Sequence, residues 1–221
     1  MGPLEGGMRL KLVLVATLLT GLAGFAMFAV NVSAQGGAKA FKISASEFDP
    51  EHDCDAAAAW VKNIGLFFAP AGQTDNFAYG FLMHKLCSTD TSAASFGLVS
   101  GVKGEFLNTP GALGFDFKNV GNFTAHCGAG APRFNVSMTD GFHFIGGCAN
   151  GTLSPSPRGT GWTQVRFDPQ NPAQAFPIVA VSATINSLSL VFDEGSDSDP
   201  NGSPEIVLDN IVVNGRMVVK P

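Results

Sequence analysis

The stretch Asp197-Ser198-Asp199-Pro200-Asn201-Gly202 puts an oxygen-bearing side chain at every second position and ends on glycine. A chain wraps one hard cation in this way: oxygens at positions 1, 3 and 5 turn inward, and glycine permits the sharp bend. Glu205 follows closely enough to add a carboxylate, and Asp193 and Glu194 stand at the loop's entrance. The spacing predicts bound Ca²⁺; the same residues also suit a solvated acidic loop whose charges blunt a sheet edge. A second candidate is Asp209-Asn210, set in the middle of an apolar run. In a strand of period two, Val207, Asp209, Ile211 and Val213 share one face, and Ile206, Leu208, Asn210 and Val212 the other. One polar side chain then points inward in either register, and a buried carboxylate is costly unless it is paired or binds a metal.

The acidic loop resembles the first half of an EF-hand loop, but Leu208 stands at its twelfth position, where a Glu would be needed, and its flanks read as strands. The ending V-L-D-N-I-V-V-N-G (207–215) resembles the last strand of galactose-binding-like jelly rolls and of many carbohydrate-binding modules. That resemblance implies a structural Ca²⁺ where Asp209 joins an acidic residue of the N-terminal strand, with Glu47 and Asp49 in S-E-F-D-P as the partners. The alternative is that Asp209 caps backbone N–H groups in a bulge. A third block, H-C-G-A-G-A-P-R-F-N-V (126–136), is similar to one that recurs in uncharacterised secreted prokaryotic proteins with jelly-roll features, and it implies no activity.

Nucleophile, phosphate-loop and zinc-protease patterns are missing, and the four histidines are scattered. The chain therefore reads as non-catalytic; a carboxylate-based extracellular hydrolase is the rival, since adjacent acids such as Asp193 and Glu194 say nothing of a separation across a scissile bond. A zinc site would draw on His126, Cys127, His143 and Cys148, whose spacing matches no finger pattern. Sugar platforms favour Trp and Tyr, which here means Trp60, Trp162 and Tyr79 against 19 Phe. Trp162 shares a face with Gln164 and Arg166, so Trp162 and Tyr79 are the candidate ligand-binding aromatics, the other reading being that Trp162 covers one end of the core. Asn122, Asn135, Asn150 and Asn201 open glycosylation sequons.

The elements that must position these groups follow from composition and pattern. Arg9 and Lys11, an uncharged apolar run from Leu12 to Val30 and the small residues of Val32-Ser33-Ala34 predict a signal peptide over 1–34, with an uncleaved anchor as the alternative. The body, 35–221, is long enough for a single domain. No second run of spanning length follows, so no membrane span is expected after cleavage. The net charge of −5 argues against nucleic acid and anionic membrane as partners. Export makes Cys54, Cys87, Cys127 and Cys148 disulfide candidates in any of three connectivities, and nearness in sequence favours 54–87 and 127–148. Strand patterns fall at 41–48, 77–86, 95–102, 113–117, 133–138, 142–145, 162–168, 178–185, 188–193 and 205–214, with a brief strand at 66–69 and helical propensity at 56–61 alone. Asp140-Gly141 marks a hairpin. The expected fold is all-β, an antiparallel jelly-roll β-sandwich. The expected role is binding or architecture at or outside the cell surface with a structural calcium, or binding of a glycan as a carbohydrate-binding module.

Overall fold

The computed structural model describes residues 40–66, 79–118, 126–198 and 204–221. The expected signal peptide, Asp199, Asn201 and most of the expected brief strand at 66–69 lie outside them. In chain order the strands are β1 (Phe41–Phe48), β2 (Ala56–Lys62), β3 (Tyr79–Lys85), β4 (Ala94–Ser100), β5 (Leu113–Lys118), β6 (Arg133–Met138) and β7 (Gly141–Gly146). They continue as β8 (Thr152–Pro155), β9 (Trp162–Phe167), β10 (Ala175–Phe176), β11 (Ile185–Phe192), β12 (Glu205–Val213) and β13 (Arg216–Val219). Among the described residues the only helical element is a 3-10 turn at Cys148–Asn150.

The fold is all-β, as expected, but the sheet is mixed. One half runs β10-β7-β6-β11-β4-β1, the other holds β12 between β3 and β5 and continues to β9 and β8, with β2 outside β3. The short β13 joins them, antiparallel to β12 and parallel to β1. This last strand is absent from the sequence pattern because four residues after the Asn214-Gly215 turn are too few to show a period. The sheet curls so that both halves bury their inner faces in one core. Phe115 of β5, Phe134 of β6 and Phe167 of β9 meet there with ring centroids 5.9–6.0 Å apart.

Two expectations are overturned. Ala56–Lys62 is a strand, not a helix: seven residues are too few to nucleate a helix alone, whereas pairing along all of β3 satisfies their backbone. Trp60 sets the register, its ring on Phe81 and its indole N–H donating to the Ile43 carbonyl at 3.1 Å. Conversely, 178–184 is not a strand. Ile178 and Val181 are exposed, the segment turns at 181–182, and the strand begins only at Ile185.

Candidate functional site

Asp209 and Asn210 sit on a bulge. Across β12 and β5, Leu208 faces Phe117 and Asp209 faces Asp116, but Val212 faces Gly114, so β12 carries one extra residue. Asn210 takes the left-handed conformation that absorbs it, φ +45°. The alternation therefore skips a beat. Ile206 and Leu208, then Ile211 and Val213, all reach the main core. Asp209 and Asn210 are both left on the outer side of the sheet, so the strand does not force either into the main core. They are nevertheless buried, because Leu66 and Trp162 pack on Val207 as a second apolar layer over this side.

The bulge reading of Asp209 is the one the geometry follows. Its carboxylate accepts from the Leu66 and Asn210 backbone N–H groups, both at 2.6 Å. The facing Asp116, fully buried, accepts from the Asn210 amide at 3.0 Å, the Ser156 hydroxyl at 2.8 Å and the Gln164 amide at 3.3 Å, with Arg166 at 3.5 Å. Glu47 and Asp49 are not brought to it. Glu47 is exposed on β1 opposite Ser95, and Asp49 closes its own turn by accepting from the Asp53 and Cys54 N–H groups. Each Asp209 oxygen thus accepts one backbone N–H.

The entrance of the acidic loop, at Asp193, meets a lysine. Lys85 is the last inward side chain of β3, and its ammonium donates to the carbonyls of Thr91 (2.7 Å), Asp193 (2.9 Å) and Thr89 (3.1 Å). Its burial outweighs the charges of Asp193, Asp197 and Asp90 and holds its pKa below the ordinary lysine value. Asp197 accepts from the Thr89 N–H (2.7 Å) and hydroxyl (2.8 Å), which ties the loop to the β3–β4 connection. Glu205, at the start of β12, faces His84 across to β3. Two of these carbonyls belong to the β3–β4 connection and one to the loop's entrance; nothing in the sequence spacing pointed to Lys85.

Asp193 and Glu194 fasten the loop on its other flank. Arg133 grips Asp193 with two bonds of 2.6 Å. Glu194 accepts from the N–H groups of Gly130 (3.0 Å) and Ala131 (3.1 Å) and pairs with buried His126 at 2.6 Å. Lys85, Arg133, Asp193 and Glu194 line an open cleft of about 560 Å³. The disulfides are Cys54–Cys87 and Cys127–Cys148, the favoured connectivity. The second consumes both thiols of the zinc alternative, and His143 is engaged elsewhere, with Asp140 at 2.9 Å and the Pro177 carbonyl at 2.8 Å.

The two aromatics expected at a ligand site lie on the β12 half. Trp162 is 7% exposed and covers Leu66 and Val207, so it serves the second apolar layer. Tyr79 is half-buried, with the Lys220 ammonium 4.2 Å from its ring centre. Among the described residues the exposed aromatics are phenylalanines: Phe142 and Phe144 on β7, Phe176 on β10, Phe48 at the end of β1 and Phe106 between β4 and β5. Compared with known protein families, curated proteins and solved structures, the chain matches none.

Proposed function

We propose that this chain is an exported, disulfide-braced jelly-roll β-sandwich that binds a component at or beyond the cell surface and does not transform it. The observation that carries this reading is a division of labour among side chains. The charged groups around the acidic loop are spent on one another and on backbone: Lys85 on three carbonyls, Arg133 on Asp193, Glu194 on two N–H groups and His126. Groups so engaged act as latches, whereas a general acid or base needs a carboxyl free to exchange its proton with a bound substrate. The outer side of the β10-to-β1 half instead presents exposed aromatic and hydroxyl side chains. Two disulfides fit an oxidising compartment, in keeping with cleavage of the signal after Ala34.

Fractionating the expressing cells tests this. The protein should be found outside the cytoplasm, begin at Gln35, carry both disulfides, and be retained on intact cells or envelope fragments. The reading fails if the chain stays in the cytoplasm with its cysteines reduced, or is exported and retained on no envelope material.

A further inference from the structure

We infer that the outer face of the β7-β6-β11-β4-β1 half is a binding platform for a neutral polysaccharide, an inference that rests on the binding role just proposed. Strand register sets the platform's rows. Phe144, Asn135, Ser189, Leu98 and Ser44 stand side by side across five strands, with Phe176 outside Phe144. At strand spacing that row is about 20 Å long. Beside it runs Phe142, Ser137 and Ser187. Hydroxyl and amide groups thus form a band between an aromatic margin on β7 and β10 and an apolar strip of Leu98, 49% exposed, half-buried Phe96 and Phe48 at the end of β1.

Charge narrows the occupant. The chain carries −5 overall, yet on these five strands no carboxylate shares the face of Ser44 and Leu98; Glu47, exposed near the end of β1, alternates to the other face. The two cations of these strands are Lys42 at the β1 margin and Arg133, which Asp193 neutralises. An anionic polymer or lipid surface would call for a basic stripe. A protein partner would call for a centre rich in large side chains, from which serine is depleted. Sugars ask for apolar surface for their C–H faces, here Phe176, Leu98 and the edge-to-face Phe142–Phe144 pair, and for neutral donors and acceptors for their hydroxyls.

Affinity electrophoresis of the oxidised mature domain through gels holding cellulose derivatives, xylan, β-1,3-glucan, soluble chitin or starch tests this, with alginate and polygalacturonate as acidic controls. Retardation by at least one neutral polymer and by neither acid is expected. Phe144→Ala should weaken it about tenfold and Ser189→Asp abolish it, while Leu153→Ser, exposed on β8, changes nothing; unchanged melting midpoints show that the variants fold. Retardation by acidic polymers alone, by none, or equally in both face variants overturns the inference. If envelope retention resists periodate, is lost to protease and is lost in the face variants, the face binds a protein: the binding role stands and the polysaccharide fails.

Discussion

Lys85 and Asn210 are two of the buried polar side chains. Lys85 places one ammonium against three carbonyl oxygens at the sheet's end. Lys85→Met keeps the stem and removes the charge, leaving those carbonyls and the nearby carboxylates without their cation. A loss of about 2–4 kcal/mol is expected from urea unfolding. Because the chain supplies this cation itself, EDTA should leave the melting midpoint where it is; a fall of several degrees, restored by Ca²⁺, would instead assign an ion to the 197–201 loop. Asn210 combines a positive φ with an amide held by Asp116. Asn210→Gly loses only the bond and should cost about 1 kcal/mol. Asn210→Ala adds backbone strain and should cost about 2 kcal/mol. Equal losses in the two variants would show that the conformation at 210 contributes nothing.

At the scale of elements, side-chain latches hold the loops to the strands. Asp140, at the β6–β7 turn, accepts from the Ala180 N–H at 2.8 Å and pairs with His143, which in turn reaches the Pro177 carbonyl. Desolvation alone would raise the Asp140 carboxyl, but the Ala180 N–H and the His143 ring outweigh it and hold its pKa below the ordinary aspartate value. Asp197 is likewise held low, first by the Thr89 hydroxyl and then by the Thr89 N–H. A carboxylate lowered in the folded state stabilises it above the unfolded-state pKa and loses that contribution as pH falls through the folded one. Stability should therefore decline as pH drops below about 4. Denaturant midpoints between pH 5 and 2 should show the decline, and Asp140→Asn should make it shallower. The bulge in β12 acts at this scale too, since one extra residue moves Asp209 and Asn210 together onto the covered outer side.

For the whole molecule, the disulfides brace the two regions around the cleft. They span 33 and 21 residues, so each should contribute about 3–4 kcal/mol by restricting the unfolded chain. Replacing either pair by alanine should lower the thermal midpoint by a similar amount, and the double replacement should add the losses if the bridges act independently. A much smaller effect would mean that the packed sheet alone restrains those loops. The same sheet separates two surfaces by chemistry, a latched acidic end and a neutral hydroxyl-aromatic face, and the second is the one proposed for binding.

The sequence by itself determined what local pattern can carry. Alternation marked β1, β5, β6, β9 and β12 within a residue or two, Asp140-Gly141 marked its hairpin, and nearness favoured the cysteine pairing found. A period of two is imposed by the strand backbone and is visible in any window that contains it. Only the tertiary structure decided what depends on which strand lies next to which. The parallel β1–β13 contact, the recruitment of Ala56–Lys62 as a strand and the burial of Trp162 each require a partner distant in the chain. The acidic loop shows the difference most directly. Its oxygen spacing announced a cation, and local spacing could say nothing of the Lys85 ammonium at its entrance, which bonds to Asp193 from 108 residues away.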